Sequence, residues 1–260
     1  MGASCGRAEP APAPAPAPAP TPSSPLLASR QLVVGIVAGW DSTAVSLRLW
    51  ERDSGDAWRA RGASWPGTVG RAGVGWGAGL HGDGAPAGRG GPVKREGDHR
   101  SPAGAFAITA AFGYPASPPA GATLRYAAVD DAWRCVDDPA SAHYNRVFAA
   151  RGVTVDWQSA EDMRREDDLY RWVIEIGHNG AGPLDAAQAD AVRPVPGRGS
   201  CIFFHVWADA DSPTVGCTAM APAAIEALLA VLDPARSPVY VLLPAAAYDA
   251  LATPWVLPRR

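Results

Sequence analysis

The chain reads as one β-rich body with a few peripheral helices. Three observations lead there. Short apolar or alternating runs recur from Gln31 to Leu243, the pattern of strands. Gly and Pro are in excess, at 28 and 26 of 260 residues. That is about a fifth of the chain, against roughly 12% in ordinary proteins, and it supplies the turns between strands. Only Pro222–Leu232 carries a strong helical stripe. A hydrophobic fraction of 47% is ample for a core. The net charge of −3 argues against a nucleic-acid partner, which a basic surplus would announce. Lys94 is the only lysine, so the basic residues are nearly all arginine. The longest apolar runs, Leu32–Trp40 and Ala223–Leu232, fall far short of the ~20 residues of a membrane helix.

Taken in order, residues 1–29 form a tail. Pro10–Pro22 alternate with small residues, and proline fixes φ and removes a donor. The segment is therefore expected to be an extended polyproline spacer, reaching up to ~65 Å from Ala8 to Ser29 at ~3.1 Å per residue. In front of it stands Met1-Gly-Ala-Ser-Cys5-Gly, small residues before a Cys as at the end of a bacterial lipoprotein signal. The basic and apolar regions of such a signal are absent from the chain. Cys5 is thus either a lipidation site, tethering the protein to a membrane, or an incidental Cys. Gly6 breaks the myristoylation motif.

From residue 30 to residue 260 the chain reads as one domain. Gln31–Ala38 and Ala44–Trp50 are strand-like and separated by a hairpin signal, Gly39-Trp40-Asp41-Ser42. Asp53-Ser54-Gly55-Asp56 marks the next turn. Residues 62–104 read as a long Gly-rich loop region with one strand. Ser159-Ala-Glu-Asp162 has capping-box form and predicts a short helix to Asp167. Tyr170–His178 places Tyr170, Trp172, Ile174 and Ile176 on one face of a strand. Asp185–Val192 is a second helical candidate. Cys201–Trp207 is apolar on both faces, as in a central strand. Pro222–Leu232 has Pro at its first position and Ile225, Leu228, Leu229 and Leu232 on one stripe. Asp233-Pro234 stops it, and Val239–Leu243 returns as a strand.

Chemistry concentrates between His205 and Cys217. A strand ends near His205, a polar loop follows, and Thr214-Val215-Gly216-Cys217 precedes the helix at Pro222. Folding the loop back is expected to set Cys217 beside His205. Gly216 permits close backbone approach, and N–H groups around Gly216 and Cys217 are candidates for an oxyanion site. The helix start and the imidazole are expected to lower the thiol's pKa from ~8.5, as a nucleophile requires. By spacing alone, a buried Cys and a structural His remain the alternative.

His205 followed by Thr214-Val-Gly-Cys217 resembles the active-site signature of the L,D-transpeptidase (YkuD-type) family. Further strings are similar to one branch of it. They are Lys94-Arg-Glu-Gly-Asp98 with Ser101-Pro-Ala-Gly104-Ala-Phe106; Cys135-Val-Asp-Asp-Pro139 with Ser141 and Tyr144-Asn145; Asp156-Trp157 with Ser159-Ala-Glu161 and Met163; and Gly199-Ser-Cys201-Ile-Phe-Phe-His205. Two positions depart: Val215 stands where His is frequent, and Ala219 where much of the family has Arg. The resemblance implies a small, mostly β sandwich or barrel with peripheral helices. It implies that Cys217 attacks an L-to-D peptide bond of a peptidoglycan stem and that His205 takes and returns the proton. A backbone carbonyl or a Ser would orient His205, and no metal or cofactor would be needed. The acyl group would pass to an amine, or to water in a carboxypeptidase. A peptidoglycan-binding module that lost turnover is the non-enzyme alternative.

Other groups are weighed beside these. In the polar cluster Lys94–His99, Arg95 is a candidate partner for substrate carboxylates, the alternative being a salt-bridged surface loop. His205, Asp209 and Asp211 lie close in sequence but lack the spacing of a zinc peptidase. The expected location is the bacterial cell envelope, with the protein a monomer. In that oxidising setting spare thiols pair, so setting aside Cys5 and Cys217 leaves Cys135 and Cys201 as the disulfide candidate. A Cys201–Cys217 bridge would conflict with Cys217 lying beside His205, since four extended residues from Cys201 span ~13 Å against a ~7 Å Cα limit.

Overall fold

The computed structural model describes Met1 and residues 24–53, 57–180 and 193–260. Cys5, the Pro-Ala segment, part of the turn at 53–56 and the helix candidate at 185–192 lie outside the described residues. Fifteen strands and two α-helices are formed among the described residues. The strands of the first half are β1 (Gln31–Val37), β2 (Ala44–Glu51), β3 (Arg59–Thr68), β4 (Val74–Trp76), β5 (Ala78–Gly79), β6 (Gly82–Asp83), β7 (Ser101–Gly113) and β8 (Tyr126–Ala128). They are followed by β9 (Trp133–Val136), β10 (Val147–Ala149), β11 (Ala160–Asp162), β12 (Trp172–Ile176), β13 (Phe203–Val206) and β14 (Thr218–Met220). Helix α1 (Pro222–Val231), β15 (Val239–Pro244) and helix α2 (Ala245–Trp255) complete the fold.

The main sheet runs β12-β13-β14-β3-β2-β1-β15-β7, and β7 also pairs with β12, which closes the strands into a barrel-like ring. The long strand β7 makes this closure. Its residues Gly104–Ala107 pair with β15, while Ile108–Gly113 pair with β12. Strands β1 and β15 pair in parallel and are buried almost throughout. That explains their continuous apolar sequence. Helix α1 packs on β12 and β13 through Ile225, Leu228 and Leu229, and α2 packs on β15 and β1. A mainly β fold with few helices is therefore what forms.

Two cores share the ring. Strand alternation sends Trp172, Ile174, Ile176, Phe204, Val206 and Met220 into the large core. The opposite face of the same strands, with Val173, Phe203, Cys201 and Cys217, forms a smaller one. A three-stranded sheet, β10-β9-β11, covers this second core with Cys135, Val147 and Met163. A disulfide between Cys135 and Cys201, with Cα atoms 5.9 Å apart, ties that sheet to the chain entering β13.

Three expectations change. Ser159–Asp162 does not open a helix: Ala160–Asp162 is strand β11, antiparallel to β9, with Asp162 ion-paired to Arg134. A capping box satisfies a helix's first N–H groups, but here the neighbouring strand satisfies them instead. Residues 62–104 hold several short strands rather than one. The packed body also begins before residue 30, since Leu26 is fully buried in the large core and the Ser24 hydroxyl donates to Trp255 O.

Candidate active site

His205 lies on β13, level with Val173 of β12 and Ala219 of β14. Because β13 and β14 are parallel, two residues back from Ala219 brings Cys217 level with Phe203, on the face His205 uses. Cys217 also sits beside Cys201, where its thiol donates to Cys201 O at 3.4 Å. The extended-chain expectation fails at Cys201 itself, whose φ of 54° turns the backbone. Cys217 is the free thiol among the described cysteines.

The thiol is 3% exposed. Burial, then the charge of Glu161, push its pKa well above the ordinary value; a backbone contact with Phe203 and the ammonium of Lys94 oppose this only partly. The expected lowering by the helix start does not occur, because β14 separates Cys217 from α1. A macrodipole acts only within about a turn of the helix end. His205 is also buried, and desolvation lowers its pKa to about 4. Its Nδ1–H donates to Val206 O at 2.8 Å, so a backbone carbonyl orients the ring and leaves the Nε2 lone pair available.

The loop before Cys217 is locked. Thr214 Oγ1 donates to Cys217 O at 2.7 Å and accepts from Gly216 N at 3.1 Å. Ser101 Oγ donates to the same Cys217 O at 2.8 Å. The Gly216 N–H, expected at an oxyanion, is thus engaged by Thr214. Val215 is exposed. It lines, with Thr214, a cleft of about 250 Å³ whose other walls include His205, Tyr170, Trp207, Arg165 and Ala219. Cys217 is not among the lining residues of that cleft.

Arg95 does not line it either: the residue is exposed on the Lys94–His99 loop, where its N–H donates to Asp98 Oδ2. That loop turns Lys94 inward instead, 4% exposed and ion-paired to Asp98 at 2.6 Å. The cleft's guanidinium is that of Arg165, held to Asp167 at 2.7 Å and placed over the Tyr170 ring. Asp209, weighed as a metal ligand, accepts from Asp211 N and the Ser212 hydroxyl and closes a local turn.

Sequence reasoning missed Tyr170 and Glu161 as site residues. Tyr170 packs its ring on His205, centroids 5.2 Å apart, and its hydroxyl donates to Glu161 Oε2 at 2.6 Å. Desolvation raises the Glu161 carboxyl to about 7. The signal was present in an acidic residue two positions before the buried Met163, which the capping-box pattern absorbed.

Comparison with known proteins bears on this geometry. A search of curated proteins and a search of solved structures returned no match. Residues 47–241 match the YkuD family, described as the L,D-transpeptidase catalytic domain, and include most strands of the ring and the whole His205–Cys217 segment. The chain belongs to the YkuD family of L,D-transpeptidase catalytic domains.

Proposed function

We propose that the protein is an L,D-transpeptidase of the bacterial cell envelope, acting on peptidoglycan stem peptides through a cysteine acyl-enzyme. Cys217 is the nucleophile and His205 the base of the site. The Cys217 sulfur attacks the carbonyl of an L-to-D peptide bond, the C–N bond breaks, and the amine departs with a proton. The thioester then passes its acyl group to an acceptor amine, with water the acceptor in the carboxypeptidase variant of the same chemistry. One observation carries this reading. The free thiol among the described cysteines lies on the face of the sheet that carries an oriented imidazole, and that imidazole lines a cleft within a YkuD domain.

The Cys135–Cys201 disulfide supports an oxidising compartment. Lipidation at Cys5, with the Pro-Ala segment as spacer, is the tether we propose for it. A second reading, a peptidoglycan-binding module with weak turnover, draws on the burial of Cys217 and its raised pKa.

Incubation with a carbapenem followed by intact-mass measurement separates the two. The enzyme gains one adduct on Cys217, Cys217→Ala gains none, and muropeptides digested with the wild-type protein show new cross-linked or trimmed masses. An unmodified wild-type protein that still sediments with peptidoglycan would establish the binding module.

A further inference from the structure

The cleft that His205 lines carries one formal charge. Among the described residues of its wall, Arg165 alone is charged at neutral pH, since burial holds His205 neutral. The rest of the wall is apolar or hydroxylic, from Leu169 and Trp207 to Thr214 and Val215. Ala219, which stands where much of the family has Arg, gives the same cleft only a methyl group. The cation therefore enters from the segment between β11 and β12, and not from β14.

Arg165 is set in place before any ligand arrives. Its Nε and Nη2 donate to the Asp167 carboxylate at 2.9 and 2.7 Å. Asp167 is itself fixed, with Oδ1 accepting from Leu169 N and its carbonyl from the Tyr114 hydroxyl, both at 3.0 Å. The guanidinium lies 5.2 Å from the centroid of the Tyr170 ring, and that ring lies 5.2 Å from His205. Asp167 takes one edge of the fork and is not part of the cleft wall. Nη1 makes no hydrogen bond among the described residues, so the second edge keeps donors to offer.

We infer that Arg165 is the specificity-determining residue of this cleft and binds a free α-carboxylate on the residue whose amine departs. A planar guanidinium edge meets a carboxylate through two parallel hydrogen bonds. Apolar walls strengthen such a pair by keeping water from it. The cleft's volume of about 250 Å³ is below the ~300–1,000 Å³ that encloses a drug-sized ligand, so it receives a residue rather than a length of peptide. An α-carboxylate shares its carbon with the departing nitrogen. Anchoring it at Arg165 therefore keeps that nitrogen in the cleft that His205 lines. A substrate whose chain continues through this carboxyl as an ordinary amide has no anion to offer and leaves the guanidinium edge unpaired.

The inference rests on the proposed function, and the test is chosen to separate the two. N-acetyl-L-alanyl-D-alanine and its C-terminal carboxamide each contain one L-to-D bond and differ only in the charge at issue. Their dissociation constants are read by NMR titration of the full-length Cys217→Ala protein, which cannot turn them over. The acid is expected to bind roughly 10-fold or more tightly than the amide, the worth of a charge-assisted hydrogen bond. Adding Arg165→Gln should remove that preference by weakening the acid while leaving the amide unchanged, whereas a merely structural role would weaken both alike. Arg165→Lys keeps the charge without the fork, should retain part of the preference, and serves where Arg165→Gln does not fold. Equal binding of acid and amide, no binding of either, or a preference that survives Arg165→Gln would overturn the assignment. Muropeptide digestion with the wild-type protein distinguishes the failures. No new masses, beside an acid preference that Arg165→Gln removes, sinks the proposed function and leaves the carboxylate subsite standing. New masses beside equal binding of acid and amide sink the subsite alone.

Discussion

At Cys217 the thiol is shielded from water on the face covered by β11, and its neutral form is favoured because a thiolate there would lose solvation. His205 meets the same penalty from the other sign of charge and stays neutral well below its ordinary titration range. Neutral imidazole with Nδ1 held by Val206 O presents a lone pair at Nε2, the form a proton acceptor needs. His205→Ala is accordingly expected to lower muropeptide turnover roughly 10²–10⁴-fold, the range of a positioned base. Steady-state kinetics should place the loss in kcat more than in KM. A turnover number within twofold of wild type would remove His205 from the reaction.

The elements that carry these residues differ in what holds them. Strand β13 is fixed on both sides, by β12 and β14, and both its faces are buried. The covering sheet β9–β11 has only three short strands, and the Cys135–Cys201 disulfide, its partners 66 positions apart in sequence, cross-links it to the ring. Closing a loop of that length is worth about 4 kcal/mol in the chain-entropy picture. The double variant Cys135→Ala/Cys201→Ala should lose about 2–4 kcal/mol in urea denaturation. It should also alkylate faster at Cys217 as the cover loosens. Unchanged stability and unchanged alkylation would show that the sheet is held by packing alone.

Across the whole molecule, acid acts on two buried histidines. His178 and His205 are both lowered to about 4 by desolvation, while an unfolded His titrates near ~6.5. Between those values the unfolded chain binds more protons, so the histidines' contribution is complete above pH ~6.5 and is lost as pH falls through about 4. Each amounts to about 3 kcal/mol. Glu161, raised from 4.5 to about 7, runs the other way and stabilises the fold progressively as pH drops through about 7 toward 4.5. Glu161 and the likewise raised Glu175 offset part of this loss, and His81, also lowered by burial, adds to it. Urea midpoints should fall as pH is lowered from 6.5 to 4, and His178→Gln should flatten that slope. A His178→Gln slope equal to wild type would show that His178 does not titrate with unfolding.

Local pattern in the chain was enough for β1, β2, β13, β15 and α1, because continuous apolar runs and a helical stripe are properties of a few neighbouring residues. The dispersed strings from Lys94 to Cys217 were likewise enough for the family, and two cysteines left over after Cys5 and Cys217 named the disulfide pair. Other features needed the closed ring. Strand β7 is mostly Ala and Gly, weak strand formers, and it forms because β15, β12, β4 and β8 pair along its length. Ala160–Asp162 obeys its pairing with β9 over its own capping box. The register of β13 on β14 set Cys217 beside Cys201 and in one core cluster with Tyr170. Proton affinities there follow from burial and from charges distant in sequence, so only tertiary contact decides them.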